Sequence, residues 1–485
     1  MPRDRCVIRF DWLAGSSVGG LTSVESTSNL SLPVVKISWL RSTFVRSAGF
    51  LVGGSAFSQL IIAAAMPIST RLYSPDEFGV FAVFSGLVAT LAVAACLRFE
   101  IAIPLPSTEQ DAANLAALAA GAAVAMSLIA TLLVTVFGGV LSRALNQPAL
   151  EGWLWLMPVA LLLAGLQSAL QFWHVRKSAF QRLAVARVAQ ALAGSTMQIG
   201  AGVAGASWIG LVAGQIGNFL TGVLALLGPV RAQASFWHGV ISRDRLRQVM
   251  RDYARFPKYS VIEALCNSAS IQLPVVMIAA LAAGSEAGHV ALAMAVVQGP
   301  MSLLGNAISQ VYLSRAPAEY HDGQLGPFTG RVIAGLARVG TGPMIFAAIT
   351  APLVFPWIFG GQWVRAGELI TWMVPWFIAQ LLTSPVSMAL HIAGRQKSAM
   401  VLQAGGLMIR TGLVWGAHEV FGSYEAEAYA ISGFIFYGVY LLVVARSVGV
   451  PWGSISPAVR SILLTSMAWV IAGAIAVIAA SALRA

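Results

Sequence analysis

Residues 71–106 read RLYSPDEFGVFAVFSGLVATLAVAACLRFEIAIPLP. A polar turn at Ser74-Pro75-Asp76-Glu77 leads into an uncharged apolar run, which leaves through Arg98-Phe99-Glu100 and the prolines Pro104 and Pro106. The run is about twenty residues long, and at ~1.5 Å per residue a helix of that length crosses the ~30 Å hydrocarbon core of a bilayer.

The same pattern repeats through the chain. Of 485 residues, 58% are apolar and only 10% charged, against roughly 25% charged in soluble domains. With a mean hydropathy of +0.77, a soluble protein is excluded and a polytopic membrane protein is expected. Apolar runs of spanning length fall at 47–69, 78–97, 112–139, 154–173, 184–205 and 208–230. After a polar stretch they resume at 259–283, 290–311, 333–355, 370–391, 399–417 and 428–445, and a last one lies at 461–482. The order is six, six and one.

A net charge of +11 would suit a nucleic-acid binder, but here the cations sit in short segments between apolar runs. With the N-terminus in the cytoplasm, 23 of the 30 Lys and Arg fall in cytoplasmic segments. Only Arg71, Arg143, Arg365 and Arg484 fall outside, while Arg187, Arg338 and Arg410 lie within helices. That asymmetry is the positive-inside pattern. Trp153, Trp155, Trp208, Trp357 and Trp363 fall at the expected outer ends, where amphipathic rings settle at a membrane interface. Cys6, Cys96 and Cys266 have neither disulfide nor metal-ligand spacing and read as small apolar side chains.

Five segments follow: a disordered cytoplasmic tail at 1–46, a first lobe at 47–230, a basic linker at 231–258, a second lobe at 259–447, and a terminal linker with one added helix at 448–485. In the linker, Leu246, Val249, Met250, Tyr253 and Phe256 recur at helical spacing among arginines, the mark of an interfacial amphipathic helix that binds anionic lipid. The blocks of six carry a weak repeat. Glu77-Phe78-Gly79-Val80-Phe81-Ala82 opens the second span and Glu286-Ala287-Gly288-His289-Val290-Ala291 opens the eighth. An even number of spans separates the copies, which makes the repeat parallel.

Several short motifs resemble those of the polysaccharide-biosynthesis membrane proteins, the O-antigen and exopolysaccharide lipid-linked oligosaccharide flippases. They are Arg71-Leu72-Tyr73-Ser74-Pro75 with Phe78-Gly79, Arg98-Phe99-Glu100 with Pro104, Phe256-Pro257-Lys258-Tyr259-Ser260 with Asn267 and Leu273-Pro274, and Gly394-Arg395-Gln396-Lys397. The resemblance places the chain in the multidrug/oligosaccharidyl-lipid/polysaccharide exporter superfamily. It implies an all-α polytopic fold of two six-helix lobes in a V around a central cavity, plus one extra C-terminal helix. It also implies a bacterial inner-membrane protein that flips undecaprenyl-pyrophosphate-linked oligosaccharide and is not an enzyme. No cofactor or metal is expected, only an ion gradient or membrane potential. The expected partners are that substrate and membrane lipid, with a glycan polymerase and a chain-length regulator, and no nucleic acid.

An ionisable group inside a span costs about 2.5–3.5 kcal/mol even on lenient scales, so each is a functional candidate. Arg410, mid-helix in the eleventh span, is either a cavity cation for pyrophosphate or a clamp on carbonyls between helices. Arg338, Lys258, Arg71 and Arg98 are further candidate cavity cations, with Arg71 also placed to pair with Asp76 or Glu77. Glu263 and Glu100 are candidates for ion coupling, since a desolvated carboxyl holds its proton more tightly. Arg98 and Glu100, two positions apart, would not share a helix face. Gln59, Gln272, Gln298 and Asn306 would line a polar cavity, and Pro274 and Pro300 would bend helices seven and eight by removing a backbone donor. Two rival functions remain. A multidrug or organic-cation antiporter would favour acidic residues in its cavity, and a glycan polymerase or ligase would carry a large outer catalytic loop.

Overall fold

The computed structural model describes residues 38–231, 239–282, 285–451, 453 and 466–478. Parts of the expected tail, the linker and the last span therefore lie outside the described residues. The helical bundle is the compact unit that begins at Arg46.

Every apolar run read from the sequence contains a helix. The first half holds α1 (Ser38–Leu72), α2 (Pro75–Ala95), α3 (Glu109–Ala144), α4 (Leu156–Arg176), α5 (Phe180–Val203) and α6 (Ile209–Arg231). The linker contributes the short α7 (Arg243–Asp252). The second half holds α8 (Val261–Leu281), α9 (Glu286–His321), α10 (Leu325–Phe359), α11 (Val364–Thr383), α12 (Gln396–Phe421) and α13 (Glu425–Ser447). Ser466–Ile478, here α14, is the described part of the added helix. Ten of the described helices are long and apolar enough to cross a membrane. Among the full-length ones, α5 and α12 fall short on apolarity, because α5 carries Arg182, Arg187, Gln190 and Gln198, and α12 carries Gln403, Arg410 and His418. Each is the fifth span of its block.

The deciding stretch shows why its helix starts and stops where it does. Ser74 caps α2 by accepting from the Glu77 N–H, and the Glu77 carboxylate accepts from the Ser74 N–H at 2.8 Å, a complete capping box with Pro75 at the first turn. At the other end the backbone turns left-handed at Leu97 (φ 50°) and Arg98 (φ 63°), a conformation sparsely populated by non-glycine residues. The proline-rich exit leaves carbonyls without helical partners. Arg176, from the end of α4, donates to those of Ile103, Pro104, Pro106 and Thr108.

α2 packs along α8 and α9 and so forms the seam between the two halves. Lipid offers no hydrophobic drive between helices, so close approach depends on small residues. At this seam the two glycines of the repeat motif meet. A Cβ on Gly288 would lie 1.9 Å from the Pro75 carbonyl oxygen and 3.0 Å from the Gly79 nitrogen. The amphipathic linker helix lays Val249 (2% exposed) on the first half, while Met250 stays exposed. It is pinned to α3 by Arg245–Asp111 at 3.5 Å and by Asn114 donating to the Val240 carbonyl at 3.0 Å.

Candidate functional site

The turn between α1 and α2 and the segment between α10 and α11 form a latch across the seam. Trp363 Nε1 donates to the Thr70 carbonyl at 2.8 Å, and the Gln362 amide donates to the carbonyls of Thr70 (2.9 Å) and Tyr73 (3.3 Å). Arg71 donates to the carbonyls of Trp357 (3.2 Å) and Ile358 (3.4 Å). It does not pair with Asp76 or Glu77 as expected: the capping box engages Glu77, and the guanidinium reaches across the seam to the facing carbonyls. Phe78 stands edge-on to Trp363 with ring centres 5.0 Å apart. Trp363 is fully buried, unlike the interfacial anchor its position suggested, and so is most of Trp208; Trp357 and Trp155 are exposed.

Behind the latch lies a charged cluster. Arg365 bridges Glu286 (2.7 Å), Glu427 (2.5 Å) and Glu368 (3.4 Å), tying α9, α11 and α13 together. His289 Nε2 donates to the Gln362 carbonyl at 3.1 Å, which leaves its Nδ1 facing Glu286 at 3.9 Å.

Arg410 is 1% exposed. Its guanidinium does not face an open cavity but sits among four rings, 4.9 Å from the centre of Phe436, 5.1 Å from Trp376, 5.4 Å from Tyr437 and 6.0 Å from Tyr429. Gly433 makes room, since a Cβ there would sit 2.3 Å from the Trp376 ring. Arg410 Nη1 donates to the Ser270 carbonyl at 3.0 Å. In an unbroken helix Ser270 would accept from residue 274, but that residue is Pro274, which has no N–H. The Tyr429 hydroxyl donates to the neighbouring Ile271 carbonyl at 2.9 Å. Of the two roles read for Arg410, the geometry is that of the carbonyl clamp, and the clamped carbonyl is the one that proline strands.

The other candidates are dispersed. Gln59 and Gln272 stand at the seam: a Cβ on Gly299 would lie 3.7 Å from Gln59 Oε1, and one on Gly86 3.7 Å from Gln272 Cβ. Gln298 is half-buried, while Asn306 and Pro300 are exposed on α9. Lys258 is exposed within a π-helical turn, Phe256–Ser260, that leads into α8, and Glu263 is exposed one turn further on. Arg338 is exposed on α10. Arg98 and Glu100 do meet, at 3.7 Å, because the helix ends before them and the left-handed turn folds one side chain onto the other. Glu100 is 4% exposed and its Oε2 has no hydrogen-bond partner among the described residues. Burial raises its carboxyl above the ordinary carboxylate range, outweighing the opposite pull of its own backbone hydrogen bond and of Arg98.

One cavity of about 250 Å³ lies among α1, α2, α5 and α6, with Ser69, Gln198, Gln215 and Asn218 in its wall. Sequence reasoning missed this cavity, the latch residues Gln362 and Trp363, and the ring cage. A local signal existed only for the cage, in the density of aromatics at Tyr429, Phe436 and Tyr437.

Residues 68–368 match the family model described as polysaccharide biosynthesis protein. No curated protein matches the sequence. Among solved structures, the chain is similar to the lipid II flippase MurJ in an inward closed conformation, with 10% identity, a TM-score of 0.66, and coverage of 90% of this chain and 92% of that one. It is also similar to an inward-facing MATE family multidrug transporter (13% identity, TM-score 0.59, 81% and 94% covered). The eukaryotic MATE transporter AtDTX14 matches at 16% identity and a TM-score of 0.52, with 87% and 99% covered. At these identities the likeness is one of fold: two six-helix lobes of the exporter type, α1–α6 and α8–α13, with α14 added.

Proposed function

The chain belongs to the polysaccharide biosynthesis protein family, and from that premise we propose that it flips undecaprenyl-pyrophosphate-linked oligosaccharide, an O-antigen or exopolysaccharide repeat unit, across the bacterial inner membrane. The solved structures that share its fold include a lipid II flippase and a multidrug transporter, which supports the reading.

The observation that carries the reading is the latch. The lobes are tied at one end by Arg71, Gln362 and Trp363, all donating to main-chain carbonyls. Such bonds exchange readily for water, so the closure can open without stranding a buried charge. Alternating access needs a gate of that kind. A sugar chain on pyrophosphate cannot cross unaided, because each hydroxyl stripped of water costs roughly 1–3 kcal/mol.

In the proposed orientation the N-terminus is cytoplasmic and the latch faces outward. Lys258 and Arg338 are then entry-side cations for the pyrophosphate. Glu100, buried beside Arg98, and Glu263, exposed near the start of α8, are the carboxylates proposed for ion coupling. Glycan polymerase and a chain-length regulator are the expected neighbours in use.

The test is reconstitution into proteoliposomes with a fluorescent undecaprenyl-pyrophosphate oligosaccharide, scoring its access to an external lectin. Protein-dependent, ion-gradient-stimulated exposure is expected. No exposure, or gradient-driven efflux of organic cations instead, or lengthening of the glycan by the pure protein, would overturn the reading.

A further inference from the structure

The cavity beneath the latch lies within the first half, among α1, α2, α5 and α6. Its polar wall is Ser69, Ser195, Gln198, Gln215 and Asn218, with Phe78 and Phe81 on one side, and none of its lining residues is charged. Ser69 is 4% exposed, and its hydroxyl has no hydrogen-bond partner among the described residues. Gln215 Oε1 is likewise buried without a partner. Both atoms belong to side chains that line one space, and unpaired groups of this kind are rare in native interiors; a polar occupant met by rotation of the two side chains would satisfy them. The space, about 250 Å³, holds roughly eight waters.

We propose that this cavity is a subsite for one neutral sugar ring of the transported glycan; the proposal rests on the flippase reading above. Four features select that ligand class. Neutral hydroxyl and amide groups match the hydroxyls and acetamido groups of a sugar, each of which both donates and accepts. With no cation in the wall, a pyrophosphate would lose its hydration with nothing to replace it. With no carboxylate, an organic cation gains no ion pair. Phe78 and Phe81 offer apolar ring surface to the C–H face of a pyranose.

Position adds a role. Tyr73, whose carbonyl the latch holds, donates its hydroxyl to the Gln198 carbonyl in the cavity wall at 2.7 Å. Displacing the 70–73 turn therefore pulls on the sugar subsite itself. Opening the latch and loosening the ring are one movement.

The unpaired atoms make a decisive test available. Removing a group that has no protein partner leaves stability unchanged or improved, so Ser69→Ala/Gln215→Leu should unfold at the same temperature as the parent or higher. In proteoliposomes the double variant should move the oligosaccharide-bearing lipid roughly tenfold more slowly or worse, the loss of about one net hydrogen bond. Undecaprenyl pyrophosphate without sugar should move equally in parent and variant. A stable variant that transports the glycan lipid at the parental rate would overturn the subsite while leaving the flippase intact. A variant that unfolds more easily would overturn the claim that these atoms wait for a ligand. Failure of the parent to move the glycan lipid would bring down the flippase reading first.

Discussion

The clamp between Arg410 and the proline-broken helix can be measured by a double-mutant cycle. Arg410→Met keeps most of the volume but removes a charge-assisted hydrogen bond, about 1.5–3 kcal/mol, and a cation–π contact of about 2 kcal/mol. It also relieves the desolvation of a buried guanidinium, several kcal/mol in the opposite direction. The single variant is thus a small difference of large quantities and decides little. Pro274→Ala is the partner that decides. The alanine would restore an N–H to the Ser270 carbonyl, so removing Arg410 in that background strands nothing. Pro274 and Arg410 should therefore couple by about 1–3 kcal/mol, the cost of an orphaned buried acceptor, with pairs in membrane bundles tending toward about 0.6 kcal/mol. Unfolding the four variants by SDS titration in mixed micelles gives the coupling. Additivity within about 0.3 kcal/mol, as independent sites show, would refute the link between the missing N–H and the arginine.

Gly288→Ala places a Cβ 1.9 Å from the Pro75 carbonyl oxygen, and α2 and α9 must part by about 1.5 Å to restore ordinary contact; spin-label distances across the latch should lengthen, and an unchanged distribution would contradict the packing. Trp363→Phe keeps a ring against Phe78 and leaves Gln362 on the Thr70 carbonyl, so it should cost only about 0.5–1 kcal/mol, whereas adding Gln362→Leu should cost more than the sum by about 1–3 kcal/mol; thermal melts of the three variants check this. Glu100 has a folded pKa raised above its unfolded value, so its contribution is fully present below the ordinary carboxylate range and is lost as pH rises through the raised value. Glu100→Gln should accordingly flatten that part of the stability–pH curve and raise stability at neutral pH; an unchanged curve would show that the carboxyl is not desolvated.

The helices were legible because a bilayer sets both the length and the composition of what crosses it, and each apolar run reappears as a helix. The stop after α2 was readable only in part: the charges at Arg98 and Glu100 mark an exit, but the left-handed backbone at Leu97 and Arg98 that joins them has no signature in residues that are neither glycine nor asparagine. Pro274 and Arg410 were each visible as unusual. Their meeting was not, because 140 positions separate Arg410 from Ser270 and only the packing of α12 on α8 brings them together. Trp363 misled for the same reason. A tryptophan at the end of an apolar run reads as an interface anchor until the opposite lobe is seen to cover it.

The crossing of α2 and α9 at Gly79 and Gly288 has a consequence for how this chain can change over generations. The two residues hold matching places in the two copies of the repeat, yet each copy is fitted against the other's backbone rather than its own. A side chain gained on Gly288 can be absorbed only by a retreat of the facing backbone at Pro75 and Gly79, whereas one on Gly79 would meet Gly288 in ordinary contact. Loops and charges on the two halves can therefore change freely, while the position of Gly288 stays tied to the backbone it faces on the other half.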